Sequence, residues 1–278
     1  MSKIKIITDS TADLPEALYI DKDIEVLPLL IQMNGKTYTD GIDIDLESLL
    51  IGMDSSPDFP ATSQVNPDRF YNVYKKYIEE GYQIISIHIS SKMSGTYQSA
   101  LIAKDMINSS SIAVIDSMNV TAGLGILVLK AAELRDKGLS FEEIQQEVIK
   151  SIPAIKSCLL FDTLKNLIKG GRIGKAKGTI GHMLNVKLLL SIEDGVITQI
   201  GKERGIKKAL NKMSKIIENC SIKENQLVIV IHAHNEELKD KLVLEIKKYT
   251  SNVIESEVGC VVGVHAGKGA AGIFFIEN

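Results

Sequence analysis

The 278 residues carry 32 Lys and Arg against 35 Asp and Glu, a formal charge of −3, and 45% of them are hydrophobic. That length supports one large or two small domains with real cores, and the balanced charge excludes the basic field that a nucleic-acid partner would need. Three widely spaced cysteines without CxxC or Cys/His metal spacing, no apolar run of membrane-spanning length and no opening h-region together lead us to expect a soluble cytoplasmic protein with reduced thiols.

In chain order, Ile4 to Ile7 is a short apolar strand, and the polar turn Thr8–Pro15 leads to a short helix near Pro15–Tyr19. Glu25 to Met33 reads as one strand, followed by an Asn34-Gly35 hairpin turn. Asp45 to Met53 reads as helical, and residues 54–60 as a loop. Asn66 caps a helix with Pro67 at its first position, ended by Gly81. The run from Ile84 to Ile89 is a buried strand that stops at a knot of hydroxyls, Ser90, Ser91, Ser94 and Thr96, where a helix begins. That helix start is either an anion site built from free N–H groups or an ordinary N-cap at Ser94. Ser111 to Ile115 is a strand, a long helix runs from about Asn119 to Lys137, and Ser140–Glu143 fits a capping box. This alternation predicts a mostly parallel sheet with helices on both faces, and ligands in such sheets sit at the carboxyl ends of strands.

Past Ile155 the pattern changes. Strands are expected at Ser157–Phe161, Val186–Glu193, Val196–Lys202, Leu227–Ile231, Val253–Glu257 and Gly272–Ile276, with helices at 164–169, 205–220 and 236–249. Asp194-Gly195 is a second hairpin signal. Hairpins mixed with crossovers predict a C-terminal α/β domain with a mixed sheet.

Four polar clusters carry candidate chemistry. Asp9, in Thr8–Asp13, either binds a metal or acts as a base, or tethers its own loop. Thr62-Ser63-Gln64 offers hydroxyl donors, or is a solvated loop. Gly170-Gly171-Arg172-Ile173-Gly174-Lys175 lacks P-loop spacing, and Arg172 either pairs an anion or partner or is solvated. His265, in the Gly/Ala-rich run 264–272, either donates to an anion or is a satisfied, partly buried histidine; that run suggests tightly packed backbone. His88 alternates within a strand and reads as core. With no GxSxG or HExxH, the hydroxyls look like binding groups, although a phosphotransferase or hydrolase using Asp9, Ser94 and His265 stays as the alternative.

At these same residues the chain resembles the DegV family: Thr8–Pro15, Thr62-Ser63-Gln64 with Pro67, Ile89–Ala100, Val114–Ser117, Gly170–Gly174 and His265–Ala270 occur in the family's order. It departs at Lys268, where the family usually has proline, and at Val65-Asn66, where Pro-Ser is common. The resemblance implies an N-terminal domain over 1–156, a C-terminal domain over 157–278, and one long-chain fatty acid between them. It implies that the carboxylate is held by Thr62, Ser94, Gly95 and His265, and that Arg172 and Arg204 contact a phosphate or a partner. It further implies a bacterial lipid-binding subunit with no cofactor and no complete active site of its own. Such a subunit presents the acid to a separate ATP-dependent kinase subunit, and the acyl phosphate feeds phospholipid synthesis. Transient contact with a membrane surface, and none with nucleic acid, belong to the same expectation. Neutral hydroxyls and amides suit one carboxylate charge, whereas a phosphate ester more often takes an Arg fork or a P-loop lysine.

Overall fold

The computed structural model describes residues 3–174, 186–220 and 222–277. Strands β1 (Lys3–Asp9), β2 (Ile24–Leu27), β6 (Tyr82–His88) and β7 (Ile112–Asp116) form a parallel sheet in the order β2-β1-β6-β7. β1 and β6 are buried along most of their length, as parallel strands covered on both faces should be. Helices α3 (Pro67–Glu79) and α4 (Thr96–Ile107) pack together on one face, where the Tyr74 hydroxyl meets Ser86 and the Phe70 ring stands edge-on to His88. Side chains alternate along a strand, so Ile85 and Ile87 face the other way, toward α5 (Ala122–Asp136) and α6 (Phe141–Ser151).

A six-stranded mixed sheet carries the C-terminal half, in the order β10-β9-β8-β13-β11-β12. It comprises β8 (Ile155–Phe161), β9 (Val186–Glu193), β10 (Val196–Arg204), β11 (Val228–His232), β12 (Val253–Glu257) and β13 (Ala271–Ile276), all antiparallel except β11 with β12. Helices α8 (Ile206–Asn219) and α9 (Glu236–Ile246) cover a small apolar cluster on one of its faces. α5 touches β1 and β6 of the first sheet and β8, β11 and β13 of the second. Every residue of α5 from Ala122 to Leu129 is buried, which is what a helix that is apolar all round requires. The main core runs continuously from Ile4 to Phe274 around it. The expected division at 156/157 falls at the start of β8.

Both hairpin signals hold: Asn34 and Gly35 have φ of 52° and 72°, and Asp194 and Gly195 have φ of 49° and 76°, the positive pairs of a type I′ turn. The Ser140 capping box is present, and Asn66 caps α3. Other expectations need correction. Residues 25–33 are not one strand: Pro28 has no N–H to give a ladder, and the chain breaks there. β2 stays in the parallel sheet, while β3 (Leu30–Met33) pairs with β4 (Lys36–Thr39) and β5 (Ala61–Ser63) in a separate three-stranded sheet. The N-cap of α4 is Gly95, not Ser94. Residues Cys260–Ala266 form a helix, α10, where no element was expected. Among the described residues no helix is long and apolar enough to cross a membrane.

Candidate functional site

β1 is flanked by β2 on one side and β6 on the other, so the segments leaving the carboxyl ends of β1 and β6 turn apart. Such a switch point leaves a crevice. Asp9 and His88 close its floor. Asp9 Oδ1 accepts from Thr11 N at 3.1 Å and from the Thr11 hydroxyl; Oδ2 accepts from Ile89 N at 3.0 Å and meets His88 Nδ1 at 3.0 Å. Both side chains are fully buried, and neither lines the crevice. Asp9 therefore tethers its own loop through Thr11, as the tether alternative had it, and in addition ties the ends of β1 and β6 together.

The hydroxyl knot after β6 divides its work. Ser90 Oγ donates to Gly195 O at 2.8 Å and Lys92 Nζ to Asp194 O at 2.7 Å, which pins the β9–β10 hairpin of the second sheet onto the first. Ser91 N donates to Asp116 Oδ1 at 3.2 Å. Of the four hydroxyls only that of Ser94 belongs to a residue lining the crevice, beside Gly95, so the cluster expected as one anion site is split.

Above this floor lies a cavity of about 380 Å³. Ile89 and Met93 line it from the first sheet's side, Leu159, Phe161, Ile192, Ile197 and Ile231 from the second, and Val261 and Val262 from α10. Its volume falls in the usual range for small-molecule sites, and its walls are mostly aliphatic.

Thr62, Ser94, Gly95, Arg172 and His265 all belong to the lining, whose other polar members include Thr11, Thr121 and His232. Thr62 comes from β5, an element whose pairing with β3 sets it in place. Its Oγ1 lies 3.0 Å from His265 Nε2. Ser94 Oγ accepts from Thr96 N at 3.3 Å and lies 3.0 Å from Thr96 Oγ1. Gly95 caps α4 without any side-chain hydrogen bond of its own, and the first helical N–H, Thr96 N, goes to Ser94 Oγ. A Cβ at position 95 would fall 1.9 Å from Gln64 Oε1, and Gln64 Nε2 donates to Ser99 Oγ at 2.8 Å. Gln64 thus crosses over Gly95 and holds the Thr62 strand against α4; its motif was legible, its role was not.

Arg172 is half-buried. Its Nε donates to Met93 O at 3.1 Å and its Nη1 to Gly170 O at 2.6 Å, which fixes the guanidinium at the cavity wall. Burial, and then the nearby Arg172 charge, push His265 down to about 4, so its ring is neutral at pH 7. Its Nδ1 is buried without a hydrogen-bond partner. Arg204 stands apart: it ends β10, opposite Val186, and is exposed outside the lining. Lys175 lies outside the described residues. No group of three His, Cys, Asp or Glu side chains among the described residues is placed to hold a metal ion.

An α/β molecule whose two larger sheets both wall an aliphatic cavity, with hydroxyls, an imidazole and a guanidinium in the lining, has the form of a small-molecule-binding fold. The DegV family model, described as an uncharacterised protein of the DegV family, matches residues 3–278, and the chain belongs to this family. A DegV domain-containing protein of Clostridium acetobutylicum is 51% identical over 278 residues, covering 100% of both chains. A DegV family protein from Thermus thermophilus, described for its fatty acid binding, superposes with a TM-score of 0.93 at 30% identity, covering 99% of this chain and 100% of that one. DegV of Bacillus subtilis, described as a fatty acid binding protein, gives a TM-score of 0.89 at 32% identity over 100% of both chains.

Proposed function

We propose that this chain binds one long-chain fatty acid in the cavity, with its carboxylate at Thr62, Ser94, Gly95 and His265, and presents that head group to a separate ATP-dependent kinase subunit. The observation that carries the reading is the cavity itself: aliphatic walls from both larger sheets, with hydroxyls, a helix N-terminus, a neutral imidazole and Arg172 in its lining. Fatty acid binding by the Thermus and Bacillus relatives supports it. Each buried CH₂ contributes about 0.8 kcal/mol, so a long saturated tail supplies roughly 10–12 kcal/mol before the cost of ordering the ligand. The tail then sets affinity and the head sets orientation.

The site would lie between an N-terminal unit over 1–156 and a C-terminal unit over 157–278. In this reading the protein has no complete active site of its own. That is consistent with Asp9 being spent on backbone and histidine contacts away from the lining, and with His265 meeting Thr62. Phosphorylation to an acyl phosphate in a bacterial cytoplasm, feeding phospholipid synthesis, rests on the family resemblance. Arg172, held at the head-group end, is the side chain we assign to partner or phosphate contact; exposed Arg204 would meet a partner only from outside the cavity.

The test is acyl-phosphate formation from ATP with the kinase subunit, together with palmitate affinity, for three forms. A hydrogen bond to a charged group contributes about 1.5–3 kcal/mol, so Thr62→Ala with Ser94→Ala should weaken palmitate binding at least about tenfold without lowering the unfolding midpoint. Arg172→Ala should retain palmitate and slow turnover at limiting kinase. Wild-type affinity and turnover in the double variant would rule the assignment out.

A further inference from the structure

α10 forms one wall of the cavity and carries His265, yet it has seven residues and an N-cap, Gly259, with no capping side chain. Two carboxyl groups from far along the chain meet its first N–H groups. Asp13 Oδ1 accepts from Gly259 N at 2.9 Å; Asp40 Oδ1 accepts from Cys260 N at 2.8 Å and Val261 N at 3.3 Å. Both side chains are buried. A Cβ on Gly259 would stand 3.0 Å from Asp13 Oδ1 and 3.3 Å from each Asp40 oxygen, so the two carboxyl groups crowd one Cα.

Their other oxygens differ. Asp40 Oδ2 accepts from Ser10 Oγ at 2.7 Å, and Ser10 Oγ itself accepts from Leu29 N at 3.1 Å. Ser10's one proton is thereby committed, and Asp40 is an acceptor at both oxygens. Asp13 Oδ2 is buried and makes no hydrogen bond of ordinary geometry, and the Thr121 hydroxyl beside the Asp13 carboxyl is likewise buried. Asp40 receives three donors, from Ser10 Oγ, Cys260 N and Val261 N, and Asp13 only that of Gly259 N beside the Thr121 hydroxyl, so of two crowded, buried carboxyl groups Asp13 is the costlier to ionise. Thr121 opens α5 and lines the cavity.

We propose that Asp13 and Asp40 hold one proton between them, carried on Asp13 Oδ2, and that this pair of a neutral acid and a carboxylate is the joint that positions α10 and Thr121 around the cavity. Its consequence for lipid rests on the fatty-acid reading above; the protonation assignment does not. Among the described residues the titratable groups that bear most on the pair are Asp9 at the end of β1, Tyr19 on α1 (Glu16–Asp21) and Cys260 on α10, all of them acids. Burial foremost, then the Asp40 and Asp9 charges, raise Asp13 to about 8 against the opposing pull of the Thr121 hydroxyl and the Gly259 N–H, and burial also raises Asp40. Because the folded Asp13 binds its proton more tightly than the unfolded chain does, its contribution to stability is full below pH 3.8 and is lost as pH rises toward about 8.

The test compares the full-length wild type, Asp13→Asn and Asp40→Asn between pH 5.5 and 9.5, measuring the unfolding midpoint of the delipidated protein and the rate of palmitate release. A carboxamide reproduces the neutral acid, so Asp13→Asn should release palmitate at the wild-type rate at pH 6. It should also abolish the roughly tenfold acceleration, about one pKa unit of free energy, that the wild type shows above pH 8. Its midpoint should gain on the wild type as pH rises. Asp40→Asn should release palmitate faster and unfold earlier at every pH, because its amide N–H groups face existing donors. On the wild type, carboxyl ¹³C NMR should show one aspartate titrating near 8. Equal effects of the two amides, wild-type pH dependence in Asp13→Asn, or all aspartates titrating below 6 would overturn the proposal. If the midpoints follow this order but no form binds palmitate, the joint stands and the fatty-acid reading fails.

Discussion

Gly95 occupies the point where α4, the Gln64 side chain and the cavity meet. A Cβ there would displace the Gln64 amide from 1.9 Å and break its bond to Ser99. The amide is the far end of a flexible side chain, so Gly95→Ala should cost only about 1 kcal/mol in urea unfolding. It should cost more in binding, because Thr62 and Ser94 lose their common brace. Palmitate titration and urea unfolding on the same preparation check both, and wild-type palmitate affinity would contradict the bracing role. His265 adds a pH dependence. Its folded pKa, about 4, lies below the unfolded value of 6.5, so the unfolded chain binds the extra proton between them. Stability from this residue is present above 6.5 and is lost as pH falls toward 4. Midpoints measured from pH 7 to 4 should fall more steeply for the wild type than for His265→Gln. At this scale the sequence named Thr62, Ser94, Gly95, His265 and Arg172, which all line the cavity, and Arg204, which does not. It was not legible for Ser90, whose hydroxyl goes to a carbonyl 105 positions away, or for Gln64, whose partner is on another element.

Elements defined by local signals were readable in advance. Caps at Asn66 and Ser140 and the two positive-φ hairpins act over four residues, and each sits where its residues put it. α10 was not readable. Its segment is rich in valine and glycine, which disfavours a helix, and its caps come from Asp13 and Asp40, more than 200 residues away. β5 was missed for a similar reason: three residues become a strand only because β3 lies beside them. The long helix α5 was readable, but its burial between two sheets gives a sharper expectation. A Cβ on Gly125 would meet Ala12 O and Leu14 Cδ2, both at 2.8 Å, and the first of these is backbone. Gly125→Ala should therefore destabilise by about 1–3 kcal/mol, despite alanine's better helix propensity, when measured by urea unfolding. A stabilised variant would mean that α5 is packed less tightly than described.

Across the whole molecule, two sheets share α5 and a continuous core, and the cavity opens where the β9–β10 hairpin, α10 and the turns after β1 and β6 come together. Composition and strand order made the two sheets foreseeable; the path by which the hairpin tip returns to Ser90 and Lys92 depends on contacts no local pattern encodes. The cavity walls come from both halves of the chain, so tail binding and tertiary docking depend on each other. The most direct measurement is to purify the native protein, denature it, extract it with organic solvent and quantify the lipid by mass spectrometry. One long-chain fatty acid per polypeptide is the result expected here. A folded, monodisperse protein that yields no fatty acid and takes up no palmitate when it is supplied would contradict it.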